Sequence, residues 1–533
     1  MSTPDTPPIP SLAAWLKALW SQVLFSGASA PSGRCRLLSL LALLILPAVL
    51  LYPSLGFRLF EPDEGRYAQI PREMLARGEW IVPYLQGEPY LDKPPLLYWL
   101  VMGSYRIFGA HDWAARLVPA LAVHVTILLG YFVGRRSLGE RAALCGALVL
   151  SLAPGFLSVG RLLVLDGLLT LWVTLAMLSA FEALRRDELA WGWWLLAALA
   201  CGLGILTKGP IALVLFVPPL AAYGWLSGRL CWVTPAAGFT FLGVVLAVIL
   251  PWFIGICCRL PDFAWEFFWR HNVVRFLSPF DHLEPVWYYL PILLGGLLPA
   301  SLLLIAFLRF LVTAEPATAR RRTSELGFML LAGGWCVLFF SLSGCKLATY
   351  ILPAFPFVAL ALGSFLVQTG WHRARVTHIV AACAVGVIFV GHQFVLPWYA
   401  GFRSPFGREA EVTRLAGDRA TPVVCYPRSC DSLAFYLGRD DLQTFRGKEG
   451  PELLEFLRQH PRTVVVFTHR HSLATMRDAL RPTELQMTDE TPLFDSARAG
   501  LTGWKYLLNK SPLGDGTRDS KEGLCYIAVV HRK

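Results

Sequence analysis

Apolar runs recur along the chain, each close to the roughly 17 to 25 residues that a helix needs to cross a bilayer. They fall near 37–57, 117–134, 141–159, 167–184, 191–207, 210–228, 234–257, 287–312, 326–343, 349–368 and 377–397. This pattern predicts about eleven transmembrane helices, or up to about thirteen if shorter runs also cross. One such run, 95–109, follows Pro94-Pro95 and predicts a helix lying at, or dipping into, a membrane face. From about residue 405 the pattern changes. Short β-rich runs (Val423–Tyr426, Thr463–Thr468, Cys525–His531) alternate with helix-like pieces (Pro451–His460, Ser472–Leu480), which predicts a small α/β domain. The expected fold class is an all-α polytopic membrane protein with a C-terminal α/β domain. Its expected divisions are 1–36 as an interfacial N-terminus, 37–400 as the membrane domain with a large loop at 58–116, and 401–533 as the tail. Residues 13–26, with Trp15 and Trp20, predict a short helix lying on the membrane.

Basic residues orient the bundle, since Lys and Arg concentrate in cytoplasmic loops. With the N-terminus inside and 95–109 not crossing, Arg135, Arg136, Arg141, Arg185, Arg186, Arg229, Arg320, Arg321, Arg322, Arg373 and Arg375 all fall on the cytoplasmic side. The loops richest in unusual polar residues then share the outer face: Phe60–Pro94, Arg161–Asp166, Thr207–Pro210, Arg259–Pro285 and Gly344–Tyr350. The tail lies outside as well.

Composition agrees. The chain has 533 residues, 55% hydrophobic and only 16% charged, against about 25% charged in soluble domains. That excludes a cytosolic globular protein and a disordered chain. The net charge of +11 is accounted for by the cytoplasmic loops, and no basic stripe points to nucleic acid. Cys425, Cys430 and Cys525 lie in the tail, where an oxidising exterior would allow one bridge and leave one thiol.

The first outer loop holds the densest chemistry. Asp63 and Glu64 follow the first span at interfacial depth, where a carboxylate serves as a general base or orients an acceptor. Asp63, Arg66 and Tyr67 share one face of a helix starting near Pro62. A solvated first-turn acid paired with Arg66 reads the same way. Lys208 and Lys346 end apolar helices, where snorkelling accounts for a lysine equally well. Asp166 also fits a helix cap, and Tyr90 and Tyr350 fit an interfacial aromatic belt. There is no phosphate-binding G-x-x-x-x-G-K-[ST], no G-x-G-x-x-G and no Asp-x-Asp.

The run DEGRYAQIPREMLARGEWIVPYLQGEPYLDKPPLLYWL (63–100) resembles the first outer loop of GT-C glycosyltransferases, in particular the aminoarabinose-transferase and protein-mannosyltransferase-like group. The resemblance continues through Leu165-Asp166, Leu206-Thr207-Lys208-Gly209-Pro210, His271-Asn272 and Lys346–Pro353, and so covers most of 37–370. It implies an inner-membrane enzyme moving a sugar from a polyprenyl-phosphate donor to a lipid or cell-envelope glycan acceptor at the outer face. It implies Asp63 and Asp166 as catalytic acids. Arg66, Tyr90, Lys93, Lys208, Lys346 and Tyr350 would bind substrate and lipid phosphate. Asp92 and His271 would be ligands of a divalent ion such as zinc, a set of two that is short of a full zinc site. The tail matches the group less clearly, which leaves the acceptor open. A protein O-mannosyltransferase is the alternative within this group. A transporter or lipid flippase is the rival outside it, and would instead want charges at mid-bilayer and repeated halves.

Overall fold

The computed structural model describes residues 33–229, 233–274, 283–404, 406, 408–468, 470–493 and 525–532. The helix expected at 13–26 lies outside them. Each of the eleven apolar runs is helical. Seven helices are long and apolar enough to cross a membrane: Asp112–Leu138, Leu165–Leu184, Trp191–Lys208, Pro235–Arg259, Ser324–Leu342, Ala348–Thr369 and Arg375–Gly401. Two runs are bent pairs, Glu140–Ser151 with Pro154–Gly160 at 65° and Val286–Gly296 with Ala300–Val312 at 108°. The remaining two are the shorter helices Arg36–Leu51 and Ile211–Leu226. The protein is a multi-span membrane protein.

Burial orders the bundle. The apolar window of Leu165–Leu184 is 89% buried and that of Ala348–Thr369 83%, so these helices form the centre. Pro235–Arg259 and Arg375–Gly401 are buried over only 28% and 17% of theirs. They present Phe239, Leu242, Ile379 and Val387 outward, as lipid-facing helices do once their backbone is satisfied internally.

Asp166 and Glu182 mark the two ends of the central helix, about 24 Å apart at 1.5 Å per residue. At the Glu182 end the arginines gather. Arg185 pairs with Glu182 at 2.8 Å and Arg136 reaches it at 3.8 Å. Arg229 donates to the Leu184 carbonyl (2.8 Å) and Arg36 to Glu140 (3.3 Å). The sequence-distant arginine loops therefore share one end. The polar loops come together at the other.

The first large loop is ordered by its own side chains. Helix Asp63–Arg77 starts with two acids that complement its dipole and stops at Gly78, left-handed at φ 65°. A tight hairpin follows, β1 (Tyr84–Leu85) and β2 (Glu88–Pro89), antiparallel. Its turn residues Gln86 and Gly87 both have positive φ. Glu73 accepts both turn amides, from Gln86 at 2.9 Å and Gly87 at 3.1 Å. The hairpin delivers Tyr90, Asp92 and Lys93 to helix Leu96–Phe108. At 13 residues that helix is about 20 Å long, short of a bilayer's hydrocarbon core.

The tail carries a five-stranded sheet. Its strands are β3 (Val423–Tyr426), β4 (Gln443–Thr444), β5 (Arg462–Phe467), β6 (Leu485–Pro492) and β7 (Tyr526–Arg532), in the order β4-β3-β5-β7-β6. β3 runs parallel to β4 and β5, while β7 is antiparallel to both β5 and β6. Helices Gly450–Gln459 and Arg470–Leu480 pack Leu453, Leu457, Leu473 and Met476 with the buried valines of the sheet. The tail seats directly on the first large loop. Tyr436 accepts the Leu59 amide at 2.8 Å, Gln69 donates to the Arg439 carbonyl at 2.7 Å, and Arg58 pairs with Glu409 at 2.6 Å.

Candidate active site

Asp63 and Glu64 are neighbours in sequence and opposites in structure. One residue is a 100° turn of a helix, so the two acids leave on different faces. The Glu64 side chain is 3% exposed and takes the buried Arg116 in a two-toothed pair, Nε to Oε1 and Nη2 to Oε2, both at 2.8 Å. It also accepts the amides of Leu163 (2.7 Å) and Phe60 (3.0 Å). Every oxygen is engaged, so Glu64 is an anchor joining the loop to the bundle. Asp63 is 49% exposed and faces Arg66 at 3.9 Å.

Two groups of candidates form. In the first, Arg66 lies beside Asp63 and stands over the Tyr90 ring at 5.6 Å. Burial pushes the Tyr90 hydroxyl up, so it stays protonated and able to donate; Asp92 interacts with it. Lys93 donates to the Asp92 carbonyl at 3.1 Å. In the second, Lys208 Nζ meets Asp166 Oδ1 at 2.6 Å and lies over the Tyr350 ring at 4.4 Å. Asp166 opens its helix without capping it through its side chain; its carboxylate is turned to Lys208 instead. Lys208 ends its helix at Gly209, which has φ 84°.

Lys346 is held by backbone carbonyls. It is 3% exposed and donates to the carbonyls of Glu284 (2.9 Å) and Ser343. Burial lowers its pKa. It ties the loop after Ser324–Leu342 to the segment before Val286, a structural task the sequence reading did not assign.

His271 falls in the wide helical turn Trp265–Val274, and its side chain lies outside the described residues. Among the described residues no three His, Cys, Asp or Glu groups gather as a metal site does.

The sequence reading missed Arg116, Arg161, Glu61 and Asp431. Arg161 is fully buried and donates to the carbonyls of Leu51 (2.7 Å), Pro53 (2.8 Å), Ser54 (3.1 Å) and His392 (3.0 Å), which pins the first span's end. An arginine at the very edge of an apolar run was the available signal for it and for Arg116. Glu61 and Asp431 gave none. Glu61 accepts the Ser432 amide at 2.6 Å, and Asp431 lies 3.7 Å from Arg66. Burial, then the nearby Asp431, pushes the Glu61 carboxyl up. Cys425, Cys430 and Cys525 are free thiols in contact. Hydrogen bonds with the other two, then burial, hold the Cys430 thiol well above its usual range.

With this geometry in hand, three comparisons bear on kinship. Residues 92–254 match the family model described as dolichyl-phosphate-mannose-protein mannosyltransferase. The undecaprenyl phosphate-alpha-4-amino-4-deoxy-L-arabinose arabinosyl transferase of Edwardsiella ictaluri is 38% identical over 324 residues, covering 59% of this chain and 56% of that protein. A Sodalis glossinidius protein of the same name, numbered 1, is 36% identical over 388 residues, covering 67% and 66%. The matches thus span 56% to 66% of these relatives' own length. The crystal structure of ArnT from Cupriavidus metallidurans bound to undecaprenyl phosphate superposes with TM-score 0.70 at 19% identity, over 93% of this chain and 98% of that one.

The chain is aminoarabinose-transferase-like in sequence and shares the ArnT fold.

The shared fold takes in the tail, since the superposition runs over nearly the whole of both chains. The family match begins at Asp92, so Lys93, Asp166 and Lys208 fall inside it and Asp63 and Arg66 precede it.

Proposed function

We propose that this protein is a membrane glycosyltransferase that moves a sugar, 4-amino-4-deoxy-L-arabinose by preference, from undecaprenyl phosphate to a lipid acceptor such as lipid A. The observation that carries the reading is the identity of more than a third with arabinosyl transferases named for that donor. The polar groups support it. Acids and cations meet at one end of the bundle, opposite the arginine-rich end, where a lipid headgroup would lie. In this reading the site faces the periplasm and the arginines face the cytoplasm, as their distribution favours.

The chemistry is a displacement at the anomeric carbon. The acceptor oxygen forms a bond there, and the bond to the carrier phosphate oxygen breaks with inversion. The carrier leaves as a phosphate anion, and fixed cations stabilise the charge that develops on it. Lys208 is suited to this because Asp166 and Tyr350 hold it in place. Lys93 and Arg66 supply further cations. Asp63, half exposed beside Arg66, is the carboxylate placed to meet substrate. With a phosphate acceptor it positions groups; with a hydroxyl acceptor it takes the proton. Asp166 acts through Lys208 as its positioning partner. The apolar carrier tail lies against the bundle's exposed apolar side chains.

The test is lipid mass spectrometry of a strain lacking this protein and of the same strain complemented. The expected result is loss of aminoarabinose-bearing lipid A and its return on complementation. Unchanged lipid A, with another glycan or a glycoprotein lost instead, contradicts the acceptor. No change in any glycoconjugate contradicts the enzyme assignment.

A further inference from the structure

Arg66 sits between two acids from different parts of the chain. On one side is Asp63, 3.9 Å away, on its own helix and 49% exposed. On the other is Asp431, 3.7 Å from Arg66 Nε, contributed by the tail and 1% exposed. A buried carboxylate is costly unless a cation faces it. Arg66 is the cation that faces Asp431; Ser429 adds a hydroxyl at 3.5 Å. The exposed acid is free to meet a ligand, while the buried one fixes where the guanidinium points.

The same seam is held by contacts that leave no room to slide. A Cβ on Gly65 would lie 2.4 Å from the Ser432 amide nitrogen and 2.8 Å from Glu61 Oε1. Only glycine lets the loop helix come this close to the tail. Glu61 bonds that amide at 2.6 Å. One turn further along, Gln69 and Arg72 both donate to the Arg439 carbonyl, so the loop helix is gripped at two levels. Arg66 Nε and Glu61 Oε2 are buried without a hydrogen-bond partner. The seam is therefore shaped by packing and charge around Arg66, and its polar atoms are not saturated.

We infer that Asp431 is a positioning residue for Arg66: the tail sets the guanidinium that receives the carrier phosphate, so the loop is competent only with the tail seated on it. This rests on the reading that Arg66 serves a lipid phosphate. The tail is then a structural component of the binding site rather than a separate module.

The test uses the full-length protein in detergent, with undecaprenyl phosphate itself as the probe and native mass spectrometry as the readout. Affinity is measured for the wild type, Asp431→Asn and Asp431→Glu, each with its melting temperature. The expected result is carrier binding weakened about tenfold in Asp431→Asn and largely restored in Asp431→Glu. A purely structural Asp431 would lower the melting temperature and leave the affinity of the folded fraction unmoved. Should Asp431→Asn not fold, Gly65→Ala opens the same seam without touching a charge, and the same weakening is expected. Wild-type affinity in either folded variant overturns the proposal. Because the readout is binding, weakened binding in a protein that transfers no sugar would uphold the positioning role while contradicting the enzymatic reading.

Discussion

Lys208 and Asp166 lie 42 positions apart in sequence and meet at 2.6 Å at one end of the bundle, beneath the Tyr350 ring. Asp166 begins the central helix Leu165–Leu184, and Lys208 ends the helix Trp191–Lys208. The pair fixes a cation between two packed helices of the bundle, which suits a group meant to meet a departing phosphate.

Removing Lys208 should be costly in two ways. Lys208→Met leaves Asp166 without its cation, and a broken buried pair costs about 3–5 kcal/mol. We expect the double variant Lys208→Met/Asp166→Asn to regain much of the lost thermal stability but none of the lost transfer. Melting temperatures and transfer rates of the four proteins check this; recovery of transfer in the double variant contradicts a role for the cation.

Asp63 and Glu64 should separate cleanly. Asp63→Asn should keep its melting temperature, because its side chain is half exposed. Glu64→Gln removes the charge from the Arg116 pair and should destabilise by several kcal/mol, about the cost of an unpaired buried arginine. Thermal unfolding in detergent distinguishes them, and equal losses in the two would contradict the assignment of anchor and reactive acid.

The hairpin that presents Tyr90 and Lys93 depends on its turn. Gly87 has φ 82°, so Gly87→Ala forces a side chain into a left-handed backbone, at about 1 kcal/mol. A raised KM for the lipid-linked donor with a nearly unchanged kcat is expected. A normal KM would show that the turn does not set the site.

The seam between loop and tail should loosen as pH rises. Burial, then Asp431, raises the Glu61 carboxyl from 4.5 to about 8. Around it stand Arg66, Asp431, Ser432 and, beyond them, Asp63 and Glu73. A raised carboxyl is neutral in the fold and ionised in the unfolded chain between those two values. Its contribution is present below 4.5 and lost as pH climbs through about 8. Melting temperature measured from pH 5 to 9 should fall across that window, and Glu61→Gln should flatten the fall. An unchanged slope in Glu61→Gln would contradict this origin.

Much of this was legible in the sequence because the bilayer imposes strong rules. Apolar run lengths located the helices, and the arginine loops did gather at one end, as Arg136, Arg185 and Arg229 show. The tail's β3, β5 and β7 were legible from their β-branched runs, whereas the short β4 and the polar β6 were not. The run 287–312 read as one span, since its apolar character hid a break that Gly295, Gly296 and Pro299 mark; its halves diverge by 108°. Neighbouring acids could not be told apart, because Glu64 finds Arg116 52 residues away. Asp431 lay beyond reach for the same reason: no period links a tail residue to a loop residue that it touches only in the fold.

Transfer by the purified protein tests the central claim most directly. Labelled aminoarabinose on undecaprenyl phosphate is supplied with lipid A, and wild type and Asp63→Asn are compared at matched melting temperature. We expect labelled lipid A from the wild type and a fall of about 100-fold or more in Asp63→Asn, the scale of a lost general base or positioning carboxylate. Transfer by Asp63→Asn at the wild-type rate would contradict the account.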